Sequence, residues 1–330
     1  MSCSRHRALF RDCVGFVASC AWIAATLLGN RVTAEDGRLT LEQDDKGITV
    51  RVGDGLFARY WAQSGTKPIL WPLIGPTGKE MTRSYPMRDV PGEKRDHIHQ
   101  RSCWFTHGEV NGLSFWDEQN RHGTIAHREY TKATAEGNHA ILAARSDWLD
   151  MEGKRVCEEH RTMVFGADGR TRWVDFDFEL RATDGDLVFG DTKEGSFGVR
   201  VAGSMEVDAK KGGRIVTSEG LADGAAWGKR AAWVDYQGPV DGETVGLAIL
   251  NHPSSFRYPT YWHVRTYGLF AANPFGLRDF LQDPKADGSH TVAKGGHLRL
   301  YYRVILHAGD AAQGGIAEAF EAYCKESKAP

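Results

Sequence analysis

The sequence predicts an all-β protein, a large antiparallel β-sandwich with a C-terminal α-helix, and three observations carry that prediction. Apolar and polar residues alternate over whole strand lengths: Val174, Phe176, Phe178 and Leu180 interleave with Asp175, Asp177 and Glu179. The same period returns where Leu298, Leu300, Tyr302, Val304 and Leu306 interleave with His297, Arg299, Tyr301, Arg303 and His307. Long amphipathic helices are absent between such runs, so the crossover helices of a doubly wound α/β fold are missing.

Taken in order, residues 1–34 read as an export signal. Arg5, Arg7 and Arg11 form its basic region, Val14 to Leu28 is mostly apolar, and Val32-Thr33-Ala34 is a small-residue cleavage site before Glu35. Cys20, closing Val17-Ala18-Ser19-Cys20, offers lipid attachment as an alternative, but the apolar run continues past it and cleavage ranks first. The expectation is a periplasmic or secreted protein. Residues 35–330 then form a single sandwich domain, since all-β domains of this order of length stay undivided. No later segment approaches the roughly 18 apolar residues of a membrane span, so no membrane contact is expected after cleavage. Removing the signal's four basic residues and one acid from totals of 41 and 43 leaves 37 against 42, a net charge of −5. That balance argues against a nucleic-acid partner. Of six cysteines, Cys103, Cys157 and Cys324 remain after cleavage. Their odd number and wide spacing suit small buried hydrophobes better than a disulfide framework.

From Leu39 the chain has hairpin grammar. Ile48, Val50 and Val52 alternate with Thr49 and Arg51, Gly53-Asp54-Gly55 turns, and Leu56 to Trp61 resumes an apolar run. Pro68, Pro72, Pro76, Pro86 and Pro91 then mark an ordered irregular stretch. A strand begins at Gly123-Thr124-Ile125-Ala126-His127. Leu187–Gly190 and Ser196–Val201 read as two strands joined by the charged connection Asp191-Thr192-Lys193-Glu194-Gly195. The terminal helix is expected from Ile316, Ala319, Phe320, Tyr323 and Cys324 at helical spacing, capped by Asp310, with Gly314-Gly315 weakening its first turns.

The chemistry concentrates in Asp96-His97-Ile98-His99-Gln100-Arg101 and the following Ser102 to Gly112. In an extended segment His97, His99, Arg101 and Cys103 share one face, and two imidazoles beside a guanidinium are costly to bury unpaired, which points to a cleft. His263 and Arg265 repeat the spacing of His99 and Arg101. His99 or His107 is assigned as acid/base and Asp191 or Glu194 as its carboxylate partner. His97, Arg101, Lys193, His252, His263, Arg265 and Asn273 are assigned to substrate binding. No cofactor is assigned. A divalent metal on His97 and His99 is the alternative, disfavoured because Arg101 beside them would repel a cation. A phosphate-cradling loop, a His-Glu-x-x-His helix, a Gly-x-Ser-x-Gly elbow and a paired Cys-x-x-Cys are absent.

Together these motifs resemble a family of secreted bacterial proteins described as a PmoA-like ("methane oxygenase") domain of unknown function. The resemblance runs from about Leu39 to His307 and rests on His97–Arg101 through Trp104–Gly112, on Asp191–Gly195, on His252-Pro253, on Trp262–Arg265 and on Ala272–Gly276. The family's first motif usually reads His-Pro-His-His-Arg-Gly, and here Ile98, Gln100 and Ser102 replace its proline, third histidine and glycine. The resemblance implies a sandwich similar to the galactose-mutarotase type and a setting in carbohydrate use. A membrane methane monooxygenase is not implied, since the chain lacks spans. The resulting expectation is a carbohydrate-active hydrolase or lyase on a saccharide substrate. The alternatives are a non-catalytic carbohydrate-binding protein and a metal-dependent enzyme.

Overall fold

The computed structural model describes residues 37–328. The signal expected at 1–34, Cys20 included, lies outside the described residues. Alternation along the chain produces two eight-stranded antiparallel sheets. The first takes the order Leu39–Gln43 (β1), Gly47–Val52 (β2), Gly55–Ser64 (β3), Lys67–Leu73 (β4), Cys103–His107 (β5), Gly195–Arg200 (β11), Leu269–Asn273 (β16) and Tyr261–Val264 (β15). The second takes the order Arg214–Thr217 (β12), Trp233–Val240 (β13), Glu243–Asn251 (β14), His297–Ala308 (β18), Thr171–Arg181 (β9), Arg155–Ala167 (β8), His139–Leu149 (β7) and Thr124–Glu136 (β6). Leu187–Phe189 (β10) and His290–Val292 (β17) form a separate ribbon.

The inner faces meet in one aromatic core. Phe105 on β5 stacks on Phe178 of β9 with centroids 4.1 Å apart, and Phe197 on β11 stacks on Tyr302 of β18 at 5.0 Å. Burying each such side chain contributes about 1.5–3 kcal/mol, and the period-2 runs seen in the sequence are the strands that supply them. The outer face of the first sheet is also covered. Ile69, Trp71, Trp104, Leu269 and Ala271 form a second apolar cluster with Trp116, which arrives from the loop after β5. This double burial explains why β5 and β11 are buried throughout and read as near-continuous apolar runs. Gly198 on β11 makes room for the outer layer, because a Cβ there would lie 2.7 Å from the Trp104 ring.

The two strands expected around the charged connection are present and lie in different sheets: β10 pairs with β17, and β11 lies between β5 and β16. The charged connection Asp191–Glu194 therefore crosses from the small ribbon to the first sheet. At the C-terminus, Ile316–Tyr323 (α2) packs Ile316 and Tyr323 on Ala248, Leu250 and Ile305, on the outer face of the second sheet. Its cap is Gly315 at φ 63°, not Asp310, whose carboxylate instead accepts from the Gln313 N–H at 2.8 Å. A left-handed residue is needed there, which glycine supplies without strain. Leu277–Leu281 (α1) is a five-residue helix, too short to show a period in sequence.

Candidate active site

Residues 97–101 form a turn, not a strand. His97 sits in the left-handed region at φ 47°, the Gln100 N–H donates to the His97 carbonyl at 2.9 Å, and Ser102 is again left-handed at φ 53°. A non-glycine residue held there is strained, and such strain gathers at functional sites. The turn breaks the expected shared face: His97 and His99 reach a cavity on the outer side of the first sheet, while Cys103 belongs to the inner core.

The cavity holds about 420 Å³ and is lined by His97, His99, Gln100, Gly108, Ser114, Trp116, Asp117, Thr192, Glu194 and Tyr267, together with the exposed Gln119, Asn120 and Arg121. The turn at His97–Gln100, the loop after β5, the connection before β11 and Tyr267 from between β15 and β16 supply its walls. Gly108 lets two of them touch, since a Cβ there would lie 2.5 Å from the Glu194 carbonyl oxygen. Larger hollows exist elsewhere. One of about 760 Å³ is lined by loop backbone around Gly309 and Gly314 and has no histidine, and one of about 500 Å³ near Phe256 and Tyr301 has no lining carboxylate.

His97 is the best-oriented imidazole. Its ring stacks on Tyr267 with centroids 5.3 Å apart and planes 8° from parallel, and its Nδ1 lies 3.2 Å from Asp96 Oδ2. A carboxylate on that side favours the proton on Nδ1 and leaves Nε2 as the basic atom. Asp96 is itself fixed by Arg83 at 2.5 Å and Arg200 at 3.4 Å. Burial opposes its ionisation, but the two guanidiniums prevail and hold it below the usual carboxylate range. His99 has no hydrogen bond on either ring nitrogen among the described residues. Burial, reinforced by Lys67 and His97, pushes it down to about 4, so it is neutral at physiological pH.

The two carboxylates in the cavity are driven apart. Burial raises Glu194 against the pull of Lys193, His97 and Arg265. Burial also acts on Asp117, but hydrogen bonds from the Gln119 N–H and the Asn120 side chain, with His99 nearby, bring it below its ordinary value. One group is suited to give a proton and the other to stay ionised. Trp116 supplies an apolar wall, and its buried indole N–H has no acceptor among the described residues.

Several expected site residues are placed elsewhere. Arg101 donates to both oxygens of Glu118 at 2.7–3.0 Å, and Lys67 reaches the same carboxylate at 2.5 Å, so Arg101 is a structural partner rather than a substrate clamp. Glu118→Gln is expected to cost about 3–5 kcal/mol, because it strands two cations with little exposure. Urea unfolding at pH 7 measures it. His107 is buried, with Nε2–H donating to the Gly190 carbonyl at 2.8 Å and Nδ1 facing the Ser196 hydroxyl at 3.1 Å, so it cannot serve as acid/base. Asp191 accepts from the backbone of Arg278 and Gly288 and pins the loop around α1. Asn273 donates to the Thr192 carbonyl at 2.9 Å and accepts from the Phe275 N–H at 2.8 Å, holding the cavity wall from behind.

His252 faces the C-terminal segment, with Nε2 3.2 Å from the Glu326 carbonyl. His263 is buried and accepts from the Trp227 indole N–H at 2.9 Å. Neither lines the cavity. Lys193 and Arg265 stay near it: the Lys193 ammonium is 3.7 Å from Glu194, and Arg265 lies over the Trp227 and Tyr267 rings at 5.7 Å. Among the described residues no three His, Cys, Asp or Glu are grouped to hold a metal ion, so a His97/His99 metal site lacks a third ligand. Sequence reasoning assigned no site role to Asp96, Trp116 or Asp117, and read Tyr267 only as one of several rings able to stack on a sugar. Only Asp96, adjacent to His97, carried a local signal.

No curated protein matches the chain. Solved structures with a similar overall fold include the galactosidase domain of an alpha-galactosidase-sucrose kinase, AgaSK, at 10% identity and TM-score 0.43, covering 82% of this chain and 42% of that one. An alpha-galactosidase from Lactobacillus brevis follows at 8% and 0.40, covering 84% and 41%. The GH36 alpha-galactosidase AgaB from Geobacillus stearothermophilus is similar at 10% and 0.39, covering 82% and 41%. The chain thus spans about two fifths of the length of these proteins, and the likeness gives no residue correspondence for the cavity. The family description bears no link to PmoA, so that part of the resemblance is unsupported. Residues 47–321 match the model of DUF6807, a family of unknown function, and the chain belongs to that family.

Proposed function

We propose that the chain is an exported, periplasmic or secreted, carbohydrate-active enzyme, a hydrolase or lyase, working in the cavity between His97, Trp116 and Glu194. The observation that carries this reading is the convergence in one cavity of two carboxylates, Glu194 and Asp117, with an imidazole backed by Asp96. Proton donor, ionised carboxylate and base are the groups that glycosidic-bond cleavage requires. Trp116 and Tyr267 supply flat apolar surfaces, and Gln119 and Asn120 supply hydroxyl partners.

A saccharide panel followed by calorimetric heat and product release in the same samples tests the reading. Heat with new reducing ends or unsaturated ends is the expected result. Heat without any product would identify a binding protein instead.

A further inference from the structure

Most charged side chains around the cavity are paired or hydrogen-bonded, and two guanidiniums are not. Asp117 spends both oxygens on the Gln119 and Asn120 amides. Asp96 is taken by Arg83 and Arg200, and Glu118 by Lys67 and Arg101. The nearby Asp279 accepts from the Lys193 backbone N–H at 3.3 Å. Glu194 lies 3.7 Å from the Lys193 ammonium. The Arg265 guanidinium has no hydrogen-bonding or ion-pair partner among the described residues; the Trp227 and Tyr267 rings hold it in place. Arg121 is exposed and equally unengaged. A guanidinium held against aromatic rings with its fork unused is prepared for a planar anion.

Building on the saccharide reading above, we infer that the cavity takes a uronate-bearing saccharide, its carboxylate held by Arg265 and Lys193, and cleaves it by β-elimination. Neutralising the carboxylate acidifies the hydrogen on C5. Nε2 of His97 takes that proton, the released pair forms the C4=C5 double bond, the C4–O4 bond breaks, and the leaving oxygen takes the proton of Glu194. His97 then returns its proton through solvent to Glu194. Atoms balance with no water, metal or redox partner consumed. The products are an unsaturated uronate and a fragment with a new hydroxyl end.

The test incubates the full chain with oligogalacturonates and oligoglucuronates, with the matching neutral oligosaccharides, and with sulfated ones. Ultraviolet absorbance of unsaturated ends, arising from uronates alone, is expected. Arg265→Gln should lower kcat/KM on uronates by about 10- to 100-fold, the worth of a charge-assisted contact. Lys193→Gln, at a half-exposed position, should lower it less while leaving the fold intact. Cleavage of neutral sugars with no unsaturation would overturn elimination on uronates and leave the saccharide reading standing. Productive use of sulfated chains alone would overturn the carboxylate assignment. Absence of binding and turnover on every saccharide would overturn both.

Discussion

Between pH 7 and pH 5 the protein is expected to lose several kcal/mol of stability, as buried imidazoles that fold uncharged meet protons only the unfolded chain can take. Burial lowers His107 to about 4 and His263 to about 3 from an ordinary 6.5, aided for His263 by Arg265 and Lys193. In that window the unfolded state binds more protons than the folded state, so stability rises with pH and is lost on acidification below about 6.5. Each such group contributes about 1.4 kcal/mol per pH unit. His99 acts in the same direction. Glu194 and Asp177, raised by burial, act oppositely, since their folded forms keep the proton longer. His307 is raised: burial opposes its charge but Asp235, 2.9 Å away, prevails. Its stabilisation is complete below pH 6.5 and is lost only as pH rises, so it leaves the acid slope unchanged. Against a typical total of about 5–15 kcal/mol, the loss is large. Urea midpoints at pH 7 and pH 5 measure it, and equal midpoints would contradict the burial of His107 and His263 as neutral rings.

His97→Gln and Glu194→Gln are each expected to lower kcat by about 10²- to 10⁴-fold, the usual contribution of a positioned proton-transfer group. Both residues line the cavity on loops outside the aromatic core, so unfolding midpoints should move little. The pH profile separates chemistry from structure. Glu194 acts as its protonated form, so the wild-type rate should fall as pH rises through its raised value, and Glu194→Gln should remove that limb. His252→Gln is the contrast: it touches the C-terminal segment and should leave kcat unchanged while lowering stability.

The sandwich was legible because its core strands carry a strict period of two, seen at Val174–Leu180 and Leu298–Leu306, and the turns carry their own glycines. The cavity was legible in part. His97, His99 and Glu194 stood out because imidazoles and carboxylates are rarely placed among apolar runs without purpose. What misled was local geometry. A turn at His97–Gln100 cancels the alternation assumed for a strand, and double burial of β5 hid His107 inside the core. The partners of Arg101 and Asp191 lie 17 and about 90 residues away, so no local pattern could reveal that both were already engaged. Trp116 and Asp117 enter the cavity from the loop after β5 and Tyr267 from the turn between β15 and β16, and only the folded topology brings them together.

The most direct test of the cavity as the catalytic centre is a structure of Glu194→Gln bound to the saccharide that the wild-type protein cleaves. The expected result is a sugar ring between Trp116 and Tyr267, with the scissile oxygen beside residue 194. A saccharide seated instead in the hollow near Phe256 and Tyr301, with the His97 cavity empty, would contradict it.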